Sequence, residues 1–179
     1  VLDTCAKRTQ PPAHILDLGT GSGAILLALL SHYPGATGMG IDQSPETLGV
    51  ARQNAANLGF AARTEFVLGD WLSGVEGRFD LIVSNPPYIP TEDLLNLARN
   101  VREFDDPAAL DGGADGLDFY RRTLEEAKSV LSEGGLLALE IGVNQCQSVT
   151  EIATGSGWRV IDQRADLAGI PRALVLIAC

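Results

Sequence analysis

The chain has 179 residues, a length that suits one domain, and its residues are 45% hydrophobic and 20% charged. This ordinary globular mixture excludes wholesale disorder, and no apolar run approaches the roughly 20 residues that a membrane-spanning helix needs. The formal net charge of −10 repels polyanions at long range, which weakens the case for general binding to nucleic acid or to anionic membranes.

Apolar runs and helical stretches alternate along most of the chain, which predicts an α/β fold built on a parallel sheet. Predicted strands cover residues 14–18, 37–41, 65–68, 79–84 and 136–141, with a closing pair of strands at 158–162 and 173–178. Predicted helices cover residues 23–31, 45–58, 117–133 and 145–154. Two adjacent glycines at 134 and 135 are expected to end the third of these helices.

Residues 85–116 break this alternation. The segment is long, contains four prolines and ends in the sequence DGGADG. Connections of this length in a compact domain are usually functional, so we predict a functional loop or lid between the fourth strand and the helix that begins at Leu117.

The cysteines and histidines limit the redox setting and the metal chemistry. Cys5, Cys146 and Cys179 are odd in number and form no CxxC pair, so no disulfide framework is predicted. Because His14 and His32 are the only histidines, no zinc cluster and no metal site are expected. Residues 1–10 lack the pattern of a signal peptide, so reduced thiols in a cytoplasmic protein are the interpretation that fits.

A glycine-rich loop joins the first predicted strand to the first predicted helix. It carries Asp17, Gly19, Thr20, Gly21, Ser22 and Gly23. Glycine lets the backbone turn tightly and approach a ligand, and the N-terminus of the following helix presents free N–H groups. Asp42 comes 23 residues after Gly19, at the end of the second strand, where a carboxylate can accept hydrogen bonds from both ribose hydroxyls. The loop alone fits either a dinucleotide or S-adenosylmethionine (AdoMet).

Two further strand ends carry groups suited to a nucleoside and to a planar acceptor. Asp70 and Trp71 follow the third strand and offer a carboxylate for the adenine amino group and an aromatic plane for its ring. The fourth strand runs into Asn85-Pro86-Pro87-Tyr88. The prolines fix φ at two successive positions and donate no hydrogen bond. Their carbonyls and the Asn85 amide can therefore hold a planar NH2 group beside the ring of Tyr88.

The motifs DLGTGSG, GID, GDW and SNPPY, in this order and spacing, resemble those of class I AdoMet-dependent N-methyltransferases that act on planar nitrogen. Three later segments narrow the resemblance: FDDPAALDGGADGLDFYRR, LEIG-x-x-Q at 139–145 and DLAGIPR at 166–172 resemble the release factor glutamine methyltransferases. The likeness extends from about residue 13 to the end of the chain. Two departures are Asp106-Pro107 where the family commonly has Glu-Pro, and the absence of the family's small N-terminal helical domain.

The resemblance implies a Rossmann-like class I methyltransferase fold: a mostly parallel seven-stranded sheet with helices on both faces and an antiparallel closing strand. Residues 1–179 would form the catalytic domain. The implied cofactor is S-adenosyl-L-methionine, with S-adenosyl-L-homocysteine as product. The implied cofactor-binding residues are Asp17, Gly19, Thr20, Gly21, Ser22, Gly23, Asp42, Asp70, Trp71 and Asn85. The implied catalytic residues are Asn85, Pro86 and Tyr88, and the implied substrate-binding residues are Asn85, Pro86, Pro87 and Tyr88.

The implied reaction is methylation of the side-chain amide of the glutamine in the Gly-Gly-Gln motif of peptide chain release factors, which would be the protein partners. One alternative acceptor is a glutamine of a ribosomal protein. Another is adenine in DNA or RNA, against which the net charge of −10 counts. A nicotinamide-dependent oxidoreductase would use the same glycine loop but leaves NPPY unexplained. A non-enzymatic AdoMet sensor would leave the acceptor pocket without a use.

Overall fold

In a computed structural model of the protein, which describes residues 1–6, 8, 10–96 and 107–179, seven strands form one sheet. Their order across the sheet is β3-β2-β1-β4-β5-β7-β6, and β7 runs in the direction opposite to that of the other six strands. The strands are β1 (His14–Leu18), β2 (Thr37–Asp42), β3 (Thr64–Leu68), β4 (Phe79–Ser84), β5 (Leu131–Glu140), β6 (Trp158–Ala165) and β7 (Pro171–Ala178). The predicted architecture, including the antiparallel closing strand, is confirmed.

Helices connect the strands and cover both faces of the sheet. They are α1 (Leu2–Cys5), α2 (Ala24–His32), α3 (Pro45–Asn57), α4 (Asp118–Glu126) and α5 (Cys146–Gly155). Short 3-10 turns lie at Ala61–Arg63, Thr91–Asn96, Pro107–Ala109 and Ala127–Ser129. The start of α3 follows directly from its sequence: Ser44 caps the helix by accepting a 3.1 Å hydrogen bond from the backbone N–H of Thr47, and Pro45 occupies the first helical position.

The core is divided into two layers by the central strands. Successive side chains of a strand point to opposite faces, so Ile15 and Leu81 join one cluster while Leu16 and Ile82 join the other. The first cluster includes Leu26 of α2, whereas the second includes residues of α4 and α5. Each fully buried leucine or isoleucine contributes about 1.5–3 kcal/mol relative to an exposed one, so these layers hold the strand ends in fixed positions.

The fifth strand begins earlier than the sequence pattern predicts. The helix expected to continue to residue 133 ends at Glu126, and β5 starts at Leu131 rather than at residue 136. The reason is pairing with β4, since Leu131 lies opposite Phe79. The register then shifts, and regular pairing resumes with Leu136 opposite Leu81. Gly134, with φ of +69°, accommodates the irregularity between the two paired stretches.

Parallel pairing brings four strand ends to one edge of the sheet. Leu18 lies opposite Ile41 on one side and Ser84 on the other, and Ser84 in turn lies opposite Leu139. The glycine loop, Asp42 and the NPPY segment follow these strands directly, so the fold brings their predicted groups together. This carboxyl edge is where open α/β sheets bind their ligands.

The segment predicted to be a loop or lid is described in part. Residues 85–96 and 107–116 are placed, and an isolated parallel bridge joins Ile89 to Asp111. The rest of the predicted lid, residues 97–106, lies outside the described residues, as does Asp106 of the Asp-Pro departure. Within the described ranges, no helix is long and apolar enough to cross a membrane.

Candidate active site

A cavity of about 400 Å³ opens at the carboxyl edge of the sheet. Its lining comes from the glycine loop, the end of β2, the start of α3, the NPPY segment, α4 and the turn at 107–109. The lining residues include Gly21, Asp42, Trp71, Asn85, Pro87 and Phe119. A second, shallower depression of about 490 Å³ lies at the opposite edge, but its arginines Arg63 and Arg78 donate to backbone carbonyls and so serve the fold.

The glycine loop faces open space, as a ligand cradle requires. Gly21 has φ of +56°, a left-handed conformation that favours glycine, and a side chain at this position would meet no atom within 4 Å. The loop is tied to β2 by a 2.9 Å hydrogen bond from the Thr20 N–H to the Ile41 carbonyl. Its backbone is therefore fixed while its outer surface stays accessible to a ligand.

Asp42 lies on the cavity wall with its carboxylate held in place. Oδ2 accepts a 2.9 Å hydrogen bond from the Gly21 N–H, and Oδ1 accepts a 3.0 Å hydrogen bond from the Ser44 N–H. Each carboxylate oxygen has a second lone pair, so both oxygens can still accept from a ligand. This is the geometry that a bidentate contact to a ribose diol requires.

Asp17 lies behind the glycine loop rather than on the cavity wall. It is 1% exposed, and its Oδ2 accepts a 2.8 Å hydrogen bond from the Thr20 hydroxyl. Its Oδ1 makes no hydrogen bond of good geometry with any described residue. Burial is the largest cause of the rise in the pKa of Asp17 to about 7. The Thr20 hydroxyl and the backbone of Leu26 lower this pKa, and the nearby Asp42 carboxylate makes a smaller contribution that raises it. A positive charge bound against the glycine loop would favour the ionised form of the Asp17 carboxyl group.

Asp70 and Trp71 are placed differently from each other. The Asp70 carboxylate is exposed, accepts a 2.9 Å ion-pair contact from Arg122 and a 2.7 Å hydrogen bond from Gln43, and does not line the cavity. The Arg122 guanidinium lowers the pKa of Asp70. Trp71 does line the cavity, with a left-handed φ of +58° that is unusual for a bulky residue.

The unusual Trp71 backbone is stabilised by α4. The buried indole N–H donates a 2.8 Å hydrogen bond to the hydroxyl of Thr123, and the ring centroid of Phe119 lies 4.8 Å away. Phe119 also lines the cavity, although the periodicity of α4 marks its neighbour Tyr120 as the core residue and gives no signal for Phe119. Trp71 and Phe119 together form the aromatic part of the wall.

The NPPY residues divide between the cavity and the core. Asn85 is exposed on the cavity wall, and its side-chain amide makes no hydrogen bond with any described residue. Pro87 also lines the cavity, whereas Pro86 is buried. The preceding Ser84 holds the segment to β1 through a 2.8 Å hydrogen bond from its hydroxyl to the Leu18 carbonyl. The Asn85 amide is therefore available to an incoming ligand.

Tyr88, the last residue of NPPY, is partly buried and is not among the residues that line the cavity. Its ring packs against the main core cluster and approaches the backbone of Gly142, away from the cavity lining. The physical reason is that two consecutive prolines set the direction in which the chain leaves the turn, and this direction carries Tyr88 towards β5. Phe119 and Trp71 are aromatic residues of the cavity lining, and a role for Tyr88 beside the acceptor stays a prediction.

Comparison with known proteins agrees with this geometry. Residues 10–157 match a family described as a methyltransferase domain, so the chain belongs to the methyltransferase domain family. The chain is 50% identical over 170 residues to the release factor glutamine methyltransferase of Bradyrhizobium diazoefficiens, covering 94% of this chain and 57% of that protein. It is 47% identical over 175 residues to the release factor glutamine methyltransferase of Rhodospirillum rubrum, covering 98% of this chain and 52% of that protein.

The resemblance drawn from the sequence motifs is thereby confirmed, and the chain spans about half the length of the curated relatives it matches. A solved structure with the same fold is TrmN from Thermus thermophilus, with a TM-score of 0.72 and 24% identity over 99% of this chain and 47% of that one. At this identity the structural likeness establishes the fold alone.

Proposed function

We propose that this chain transfers a methyl group from AdoMet to the side-chain amide nitrogen of the glutamine in the Gly-Gly-Gln motif of class 1 peptide chain release factors. The observation that carries the proposal is the free amide of Asn85 on the wall of a cavity that also contains the glycine loop and Asp42. The names of relatives that are 50% and 47% identical to the chain support the choice of acceptor.

The residues around the cavity fit AdoMet. The open space above Gly21 accommodates a ligand, and the buried carboxyl group of Asp17 behind the loop would attract an ammonium group once ionised. The two oxygens of Asp42 suit a ribose diol. Trp71 and Phe119 offer apolar surface for adenine. When bound, AdoMet supplies an electrophilic methyl group on a positively charged sulfur. A dinucleotide would leave the NPPY side of the cavity without a function.

Asn85 and the Pro86 carbonyl would hold the acceptor. An amide nitrogen is a weak nucleophile because its lone pair is delocalised into the carbonyl. Two acceptors directed at its N–H bonds orient the NH2 group and favour the more tetrahedral nitrogen that develops during attack. The carboxyl group of Asp42 is the titratable side chain among the described lining residues, and the N–H groups of Gly21 and Ser44 each hold one of its oxygens. Positioning therefore supplies the catalysis in this proposal, and no general base is assigned.

The remaining assignments are proposals of the same kind. Asp17, Gly19, Thr20, Gly21, Ser22 and Gly23 would serve the methionine part of the cofactor, and Asp70 would act through its contacts with Gln43 and Arg122 rather than on adenine directly. Residues 1–179 would form one catalytic domain. The three cysteines are free in the described chain, which supports a reducing, cytoplasmic setting.

Mass spectrometry of an unmethylated class 1 release factor after incubation with this chain and AdoMet tests the function. Ribosomal protein and nucleic acid would be present as competing acceptors in the same reaction. One added methyl group on the Gly-Gly-Gln glutamine is the expected result. Methylation of a competitor alone would move the assignment to that acceptor, and binding of AdoMet without any transfer would contradict the proposed activity of this chain.

A further inference from the structure

We infer that Gln145 is a positioning residue, which fixes the acceptor side of the cavity by joining three segments of backbone to one side-chain amide. This inference rests on the proposed function. Gln145 lies just before α5 and does not line the cavity, so it acts through the residues that it holds. We call Gln145 with Tyr88, Gly116 and Gly142 the Gln145 clip.

The Gln145 side chain uses both ends of its amide. Nε2 donates a 2.8 Å hydrogen bond to the Tyr88 carbonyl and a 3.2 Å hydrogen bond to the Gly116 carbonyl, while Oε1 accepts a 2.9 Å hydrogen bond from the Gly142 N–H. The Tyr120 hydroxyl lies 3.3 Å from Oε1 of Gln145 and 3.1 Å from the Glu140 carbonyl oxygen, so its single proton has two acceptors within reach. Because carbonyls only accept and a backbone N–H only donates, the amide can adopt just this orientation.

Two glycines make room for the clip. A Cβ at Gly116 would collide with the Tyr88 carbonyl oxygen and would lie 2.8 Å from Nε2 of Gln145. A Cβ at Gly142 would lie 2.6 Å from Oε1 of Gln145 and 3.0 Å from the ring of Tyr88. The close approach of these backbones is a built feature, since any side chain at either position would force the segments apart.

The clip holds a pair of segments that carry cavity-lining residues. Beyond Tyr88 the chain pairs with the segment before Gly116: the Ile89 N–H donates to the Leu110 carbonyl at 3.0 Å, and the Gly112 N–H donates to the Ile89 carbonyl at 2.8 Å. Pro87 precedes this pair and lines the cavity, as do Ala108 and Ala109 on the other segment. Displacement of Tyr88 would therefore move Asn85 and Pro86, which the proposed function assigns to the acceptor.

Loss of the clip should lower turnover while leaving cofactor binding intact. A misplacement of about 1 Å in an acceptor-holding group costs on the order of 10²-fold in rate. We expect Gln145→Ala to lower kcat by about this factor. The AdoMet Kd should stay unchanged, because the cofactor side of the cavity is built from other elements. Gln145→Glu keeps the side-chain shape and the acceptor but removes both Nε2 donors, so it should also lose turnover.

The experiment compares the wild-type chain with Gln145→Ala, Gln145→Glu and the control Gln147→Ala. Gln147 is exposed on the same helix, and its amide donates a 2.9 Å hydrogen bond to the side chain of Glu151. Methyl transfer to an unmethylated class 1 release factor gives kcat and KM, and calorimetric titration gives the AdoMet Kd. Wild-type turnover in Gln145→Ala or in Gln145→Glu would overturn the inference.

Hydrogen exchange separates the clip from the proposed function. In Gln145→Ala we expect the amides of Ile89, Thr91 and Gly112 to exchange about tenfold faster or more, while those of Leu81 and Ile82 in β4 keep their wild-type rates. If the wild-type chain methylates no release factor, the proposed function fails, and this exchange pattern still decides the clip. Unchanged exchange at Ile89 and Gly112 would refute the clip whatever the activity.

Discussion

Asp42 and Asn85 line one cavity, where Asp42 offers a carboxylate and Asn85 offers a side-chain amide for a different ligand. The Asp42 oxygens are oriented by the N–H groups of Gly21 and Ser44, whereas the Asn85 amide has no partner among the described residues. The first arrangement suits a ligand that stays bound through the reaction. The second suits an acceptor that enters and leaves, and the two residues should therefore fail in different assays.

Asn85→Ala should lower methyl transfer by about 10²–10³-fold while AdoMet affinity stays near the wild-type value, because the substitution removes an oriented acceptor of the reacting amide. Asp42→Ala should instead raise the AdoMet Kd by roughly 10–100-fold, the equivalent of losing a hydrogen bond to a charged group. Isothermal titration and single-turnover kinetics separate the two effects. The control is Asn57→Ala on the exposed side of α3, and the reverse pattern would refute both roles.

Asp17 predicts a pH dependence of both binding and stability. Its folded-state pKa is about 7 against an ordinary value of 3.8, so between these pH values the folded protein holds a proton that the unfolded chain has released. The contribution of Asp17 to stability is thus complete below pH 4 and is lost as pH rises to 7, by up to about 1.4 kcal/mol per pH unit. Binding of a cation needs the ionised carboxylate, so AdoMet affinity should fall as pH drops below about 7.

Asp17→Asn is the matched variant, since it keeps the shape of the side chain and cannot ionise. Urea unfolding at several pH values should show the wild-type chain losing more stability than Asp17→Asn between pH 4 and pH 7. Calorimetry should show weaker AdoMet binding by Asp17→Asn at pH 8 and a flatter pH profile. Parallel profiles for the two proteins would mean that Asp17 does not bind a proton in this range.

At the scale of elements, α4 supports the cofactor side of the cavity. Phe119 of this helix lines the cavity, and Arg122 forms an ion pair with Asp70. The hydroxyl of Thr123 accepts a hydrogen bond from the indole N–H of Trp71. The ion pair is exposed, and pairs of this kind contribute about 0–1 kcal/mol. The buried hydrogen bond matters more, because an unsatisfied indole N–H in the core costs the full desolvation of that group.

Thr123→Val should therefore destabilise the fold by about 1–3 kcal/mol, since it removes the acceptor of the Trp71 N–H at nearly constant volume. The hydrogen bond that holds the Trp71 side chain would be lost. AdoMet binding should therefore weaken together with stability. Thr123→Ser keeps the hydroxyl and should stay closer to the wild type. Urea denaturation of the three proteins measures the difference, and equal stability of the valine and serine variants would show that this hydrogen bond is not needed.

The sequence predicts those features of the site that depend on which residues are neighbours along the chain. Asp42 and Asn85 directly follow buried strands, so their place at the sheet edge comes from the fold class alone. Features that depend on distant residues are not predictable in this way. Asp70 is paired with Arg122, 52 positions away, and the start of β5 is set by pairing of Leu131 with Phe79. The orientation of Tyr88 depends on how two prolines direct the chain, which no hydrophobic period encodes.

At the scale of the whole molecule, net charge separates protein acceptors from nucleic-acid acceptors. The chain carries 23 acidic and 13 basic residues. In the part of the chain that the structure describes, several of the arginines are occupied: Arg122 by Asp70 and Glu126, Arg63 by backbone carbonyls and Arg172 by Asp166. These three guanidinium groups are therefore engaged within the protein rather than directed at phosphates. An enzyme that methylates adenine in a polymer must bind that polymer against this charge.

A filter-binding titration of the AdoMet-saturated chain with duplex DNA and with RNA tests this separation. We expect no binding tighter than about 10⁻⁴ M at 50 mM salt, because the net charge of −10 opposes the approach of a polyanion. A protein that contacts about 6–10 phosphates would instead lose roughly 10³–10⁵-fold in affinity between 50 mM and 200 mM salt. Excess RNA should likewise leave methyl transfer to a release factor unchanged. Micromolar binding with a steep salt dependence would contradict the proposal of a protein acceptor, because it would show that the chain binds nucleic acid despite its net charge of −10.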